Sequence, residues 1–198
     1  MQRQNYQEVA LLDKQRLLEN YIIHEVKDIS YQVRDLPQPY SVIKQSFKHA
    51  TDDHVWGSSL IQICSNGTVM FEFVRNYPSF EAIFVEQNGV DYIITSGDYQ
   101  CITIVNLDDM EAKSYVDVDD KKFGCGFCPI YFDWDEDTLY VEGCVWGCPY
   151  ETMICRDIDL SDPIAAFNGA EWTSDDDDDY EYEDDDWDDD DDSDCYCE

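Results

Sequence analysis

The chain is punctuated by turn signals at nearly regular intervals, and these constrain its fold more than any other feature. Leu60-Ile61-Gln62-Ile63-Cys64 and Thr68 to Val74 flank Asn66-Gly67, and Ala82 to Val85 and Val90 to Ile94 flank Asn88-Gly89. Asn-Gly between two β-rich runs predicts a two-residue hairpin, because both central residues need positive φ. A third pair, Cys101 to Val105 and Ala112 to Val118, turns at Asp108-Asp109. A fourth, Ile130 to Phe132 and Thr138 to Val141, turns at Asp135-Glu136-Asp137, and Glu151 to Ile158 adds one more strand. The β-branched and aromatic content disfavours a helical reading of 81–95. Short strands in series with tight turns predict an antiparallel meander.

The flanks read differently. Val9, Leu12, Leu17, Leu18 and Tyr21 recur roughly at helical spacing without Gly or Pro, which predicts an N-terminal helix over the first 23 residues. Asn5 and Glu8 are placed as a capping box for it. Ile29, Tyr31 and Val33 alternate with polar residues and predict a short strand, ended by Leu36-Pro37-Gln38-Pro39.

The tail is expected to begin near Asp162-Pro163. Residues 171–198 hold 18 acidic residues and no Lys or Arg. Self-repulsion and the lack of apolar surface predict that such a segment stays disordered. The whole chain has a net charge of −34, and residues 1–170 alone carry −16. That balance argues against direct binding of nucleic acid or an anionic membrane through a basic patch. No run of 18 apolar residues is present, so no transmembrane helix is expected. Met1 to Lys14 has no apolar stretch of signal-peptide type. With nine cysteines, an odd number, this predicts reduced thiols and a cytoplasmic or nuclear rather than secreted protein.

Tyr131-Phe132-Asp133-Trp134-Asp135-Glu136-Asp137-Thr138-Leu139-Tyr140-Val141-Glu142-Gly143 resembles the inner hairpin of a β-propeller blade of the WD-repeat kind. Ile104 to Asp108 and Cys155 to Leu160 resemble the outer strands of such blades, without the Trp-Asp pair itself. A closer resemblance, over about residues 55–163, is to an uncharacterised β-propeller-like family. It is carried by Asp98-Tyr99-Gln100, Gly126-Phe127-Cys128 and Glu142-Gly143-Cys144-Val145-Trp146-Gly147-Cys148-Pro149-Tyr150-Glu151. It implies a fold and no activity. At about 40 residues per blade, this length supplies fewer than the four blades of a closed propeller. The expectation is therefore an all-β, open or incomplete stack of blade-like sheets. Residues 1–36 form a helix and strand packing on it, 37–163 the propeller-like meander, and 164–198 the disordered acidic tail.

Three constellations bear on chemistry. Cys125 and Cys128, then Cys144 and Cys148, fall near structural zinc spacing. An antiparallel hairpin between them would bring the two pairs together, against the bland reading of buried thiols. Asp133 to Asp137 fails the calcium-loop pattern, with Thr138 and Cys144 where Gly and an acid are needed. It reads as a solvent-exposed turn. His24, His49 and His54 all precede the strand-rich segment, and no nucleophile elbow or phosphate loop is present. The expectation is a non-catalytic protein. In the tail, Tyr180, Tyr182 and Trp187 interrupt the carboxylates. Charge would speed the encounter with a basic protein partner, and rings would add buried contact. Thr173 and Ser174 stand before five Asp, a context that suits acid-directed kinases.

Overall fold

The computed structural model describes residues 5–9, 23–50, 55–75, 80–96, 101–118, 125–145 and 151–174. Among them the chain forms three antiparallel sheets and one short helix. The first sheet is a four-stranded meander of β2 (Ile23–Tyr31), β3 (Tyr40–Ala50), β4 (Val55–Ser65) and β5 (Thr68–Arg75). The central sheet runs β6 (Ala82–Gln87), β7 (Val90–Ser96), β8 (Cys101–Asn106) and β9 (Glu111–Asp117), with β1 (Tyr6–Val9) added at its far edge. The third contains β10 (Cys125–Asp133), β11 (Thr138–Val145), β12 (Glu151–Cys155) and β13 (Glu171–Ser174), with helix α1 (Ile164–Gly169) between the last two.

Both Asn-Gly pairs are hairpin turns: φ is positive at Asn66, Gly67, Asn88 and Gly89. Without a Cβ, each glycine takes the left-handed conformation at little cost. The later turns place Met110 and Asp137 at positive φ instead.

The central sheet is packed on both faces, which explains its unusually apolar strands. Successive side chains along a strand point to opposite faces. Ile93 and Val105 meet Val42, Ile61, Ile63 and Phe73 of the first sheet. Their neighbours Tyr92, Ile94, Ile102 and Ile104 meet Phe132, Leu139, Val141 and Met153 of the third. Cys101 to Val105 are consequently all buried. A polar layer interrupts the first of these interfaces. Thr95, Thr103 and Ser114 stand side by side in register, and Thr103 and Ser114 share a hydroxyl hydrogen bond of 2.8 Å. The Thr95 hydroxyl donates to the Glu81 carbonyl (2.7 Å). Across from them Arg75, itself buried, lays its guanidinium over the Phe80 ring at 5.6 Å.

The third sheet is clamped to the central one by a single amide. Gln87 Nε2 donates to Asp137 Oδ1 and to the Ile158 carbonyl, both at 2.8 Å. Its Oε1 accepts the Leu160 N–H at 2.9 Å. One side chain at the end of β6 thus holds both the β10–β11 turn and the loop after β12.

Three expectations are corrected. The N-terminal helix does not begin where its spacing placed it, because Tyr6–Val9 is a strand; residues 10–22 lie outside the described residues. Tertiary pairing overrides local propensity here. β1 forms a ladder with β9, Tyr6 N–H donates to Asn168 Oδ1 (2.8 Å), and Tyr6 OH donates to Met153 Sδ (3.1 Å). Within residues 1–36, expected to pack on the β domain, the described strands β1 and β2 are instead built into it as edge strands of two different sheets. Finally, residues 164–174 are no part of a disordered tail. Phe167 of α1 is fully buried, with its ring 4.9 Å from Tyr6 and 5.5 Å from Tyr115, and β13 completes the third sheet.

Candidate functional site

A small apolar cavity of about 50 Å³ opens where the leading strands of the central and third sheets meet. Arg34, Asp35, Ile83, Phe84, Tyr131, Phe132 and Trp134 line it. Three separate segments deliver these residues. Arg34 makes a parallel bridge to Ile83, so the chain leaving β2 runs along the edge of the central sheet. Asp35, at φ 58, turns it away. Tyr131 and Phe132 are consecutive on β10 and must therefore face opposite ways. Phe132 enters the core and Tyr131 stands 47% exposed.

Trp134 owes its position to Asp133. The Asp133 carboxylate accepts the N–H groups of Asp135 (2.9 Å) and Glu136 (3.3 Å), a local bond that ends the strand. Trp134 is left at the head of the turn, 51% exposed. Its plane is nearly perpendicular to those of Tyr131 (86°, centroids 6.5 Å) and Phe132 (74°, 5.7 Å). Tyr140, opposite Tyr131 in the ladder, extends the aromatic surface with centroids at 5.8 Å. Asp35 lines the cavity, and Asp133, Asp135 and Glu136 flank Trp134 in the turn. Two guanidinium groups oppose these carboxylates, and each has carboxylate partners. Arg34 pairs with Asp35 at 3.4 Å, and Arg156 lies 4.0 Å from Glu136 and 3.5 Å from Glu171. Asp133 to Asp137 thus form a hairpin turn with a charged surface, as the failed calcium pattern implied.

The cysteine constellation falls largely on the β10–β11 ladder. Cys125 pairs with Val145, Cys128 with Glu142 and Gly126 with Cys144. Cys148 lies outside the described residues. Cys64 and Cys155 are buried, unbridged thiols elsewhere in the fold. Burial pushes the Cys155 thiol up to about 12.

Lys44 also has a distinctive setting. Burial and the neighbouring Arg75 charge lower its pKa, and Glu81 partly offsets them. It borders the closed polar layer between the first two sheets. His24 and His49 fall on β2 and β3, and His54 lies outside the described residues.

Tyr180, Tyr182 and Trp187 also lie outside the described residues. The strand that leads to them is defined: β13 pairs with β12 at the edge of the third sheet, and Thr173 near its end is exposed. No helix among the described residues is long and apolar enough to cross a membrane.

The aromatic cavity was not legible as a unit in the sequence. Trp134 lay in a segment already marked as a turn, but Arg34, Ile83 and Phe84 carry no local signal connecting them to it. Compared with known proteins, the chain matches no family model, no curated protein and no solved structure.

Proposed function

We propose that this chain is a non-catalytic protein-interaction module whose acidic, aromatic-containing tail attracts a basic partner. The stacked sheets form its propeller-like, open scaffold, and it works in the cytoplasm or nucleus. One observation carries the reading. β13 is an exposed edge strand, and the sequence passes from it directly into residues 175–198, which hold 17 acidic residues and no basic one. A tail anchored this way starts at the surface of a folded body. Its charges act over about a Debye length, ~8 Å at physiological ionic strength, and Tyr180, Tyr182 and Trp187 supply contacts that salt does not screen.

The test is retention of a Lys/Arg-rich protein by the full chain over a series of salt concentrations. The wild-type tail should bind with a steep salt dependence. Replacing Tyr180, Tyr182 and Trp187 by Ser, with all charges kept, should weaken binding, as should a scrambled tail. Equal binding by all three versions would reduce the tail to a simple polyanion. No binding by the wild type would overturn the reading.

A further inference from the structure

We propose that the corner formed by Trp134, Tyr131 and Tyr140 docks a lysine or arginine side chain of that basic partner, giving the folded body a contact of its own. This rests on the reading above that the partner is basic. Single exposed aromatic residues are common on protein surfaces and need no explanation. Here, however, Trp134 and Tyr131 are both about half exposed, they meet at 86°, and they wall a cavity floored by Phe132, Ile83 and Phe84. A long cationic side chain suits such a place in two ways. Its methylene stem can lie on the apolar floor while its charged head stays near water. The head meets the electron-rich ring faces, which attract cations most strongly at Trp.

The charge of the rim selects the sign of the ligand. Asp35 and Arg34 line the cavity, and Asp133, Asp135 and Glu136 flank Trp134 in the turn, so with Arg156 beside Glu136 carboxylates outnumber guanidinium groups there. Arg34 and Arg156 are already engaged with Asp35, Glu136 and Glu171. An anionic segment would face net repulsion, and a neutral apolar one would bring no charge to the rim. A second copy of this chain is disfavoured by the same arithmetic, since each copy carries −34.

The experiment titrates the full chain with a lysine–alanine repeat peptide, following tryptophan fluorescence and heat of binding at physiological ionic strength. Trp134→Ser should weaken binding about three- to tenfold, the loss of one cation–π contact, and Trp134→Phe should restore part of it. Trp134 sits at an exposed turn, so in both variants the urea midpoint should stay unchanged and report that the fold is intact. A third variant replaces the tail aspartates 175–192 by asparagine. Binding that survives this change and falls with Trp134→Ser supports the corner. Binding that disappears with the asparagine tail and ignores Trp134→Ser overturns the corner and leaves the tail reading standing. Absence of binding by the wild type overturns both.

Discussion

Removing the Gln87 side-chain amide should weaken the coupling of the third sheet to the central one without removing their shared apolar core. In Gln87→Leu the volume is nearly kept and three hydrogen bonds vanish: to Asp137, to the Ile158 carbonyl and from the Leu160 N–H. The Ile158 carbonyl and the Leu160 N–H are then left unpaired beside a buried site, at about 1–3 kcal/mol for each buried group left without a partner. Relaxation will recover part of this, so a net loss of about 2–5 kcal/mol is expected. Native domains have only about 5–15 kcal/mol in hand. For a chain of this size each kcal/mol lowers the Tm by roughly 2–4 °C. Urea unfolding of the full chain measures the loss, with an unchanged slope indicating that the unfolded state is not altered. Gln87→Glu separates hydrogen bonding from packing. The carboxylate still accepts the Leu160 N–H, but it can donate to neither partner and stands beside Asp137. That repulsion and burial raise its pKa in the folded state. The native state then binds more protons than the unfolded one, so the variant should lose stability as pH rises through the raised pKa. It should recover toward wild type as pH falls toward about 4.3, the ordinary glutamate value. A Gln87→Leu variant within about 0.5 kcal/mol of wild type, the range of an ordinary surface change, would refute the clamp.

Two further outcomes follow from burial and backbone geometry. Cys155, raised to about 12, should resist alkylation in the native chain at pH 8 and react only on opening. Because its folded pKa lies above the unfolded value, stability should fall as pH rises from about 9 to about 12, and Cys155→Ala should remove part of that loss, as followed by urea midpoints. Tyr115, likewise raised to about 12 by burial and nearby carboxylates, accounts for a share that remains. Gly89→Val should cost about 1–2 kcal/mol, measured by thermal unfolding. Nothing lies within 4 Å of an added Cβ, so the penalty is conformational, from φ +77.

The sequence was most legible where turn chemistry is local. The Asn-Gly hairpins and the Asp135–Asp137 turn are properties of neighbouring residues, and all three stand where they were expected. Strand ends were less so: β10 starts at Cys125 rather than Ile130, because pairing with β11 carries the ladder past the apolar run. The strand Tyr40–Ala50 escaped notice for a clear reason. Its buried apolar residues, Val42 and Phe47, are an odd number apart and face opposite sides, with Lys44, Gln45 and Ser46 between them. Period-two reading fails on such a strand. Tyr6–Val9 was misread because a partner more than a hundred residues away decides its conformation. The aromatic cavity and the Gln87 clamp were invisible for the same reason: each joins residues from segments that only the fold brings together.

The position of β1 sets a timetable for the chain during synthesis. Strands β2 to β5 pair only with sequence neighbours and can form a sheet as soon as they emerge. β1 is made before them, yet its partners are Ser114 to Asp117. The chain must therefore hold β1 unpaired until β9 appears, several seconds at about 5–20 residues per second. Closing a loop of that length costs on the order of 4 kcal/mol in chain entropy, repaid only when the ladder and the buried Tyr6 fall into place. The edge of β9 stays open until then, so a strand made more than a hundred residues earlier completes the central sheet.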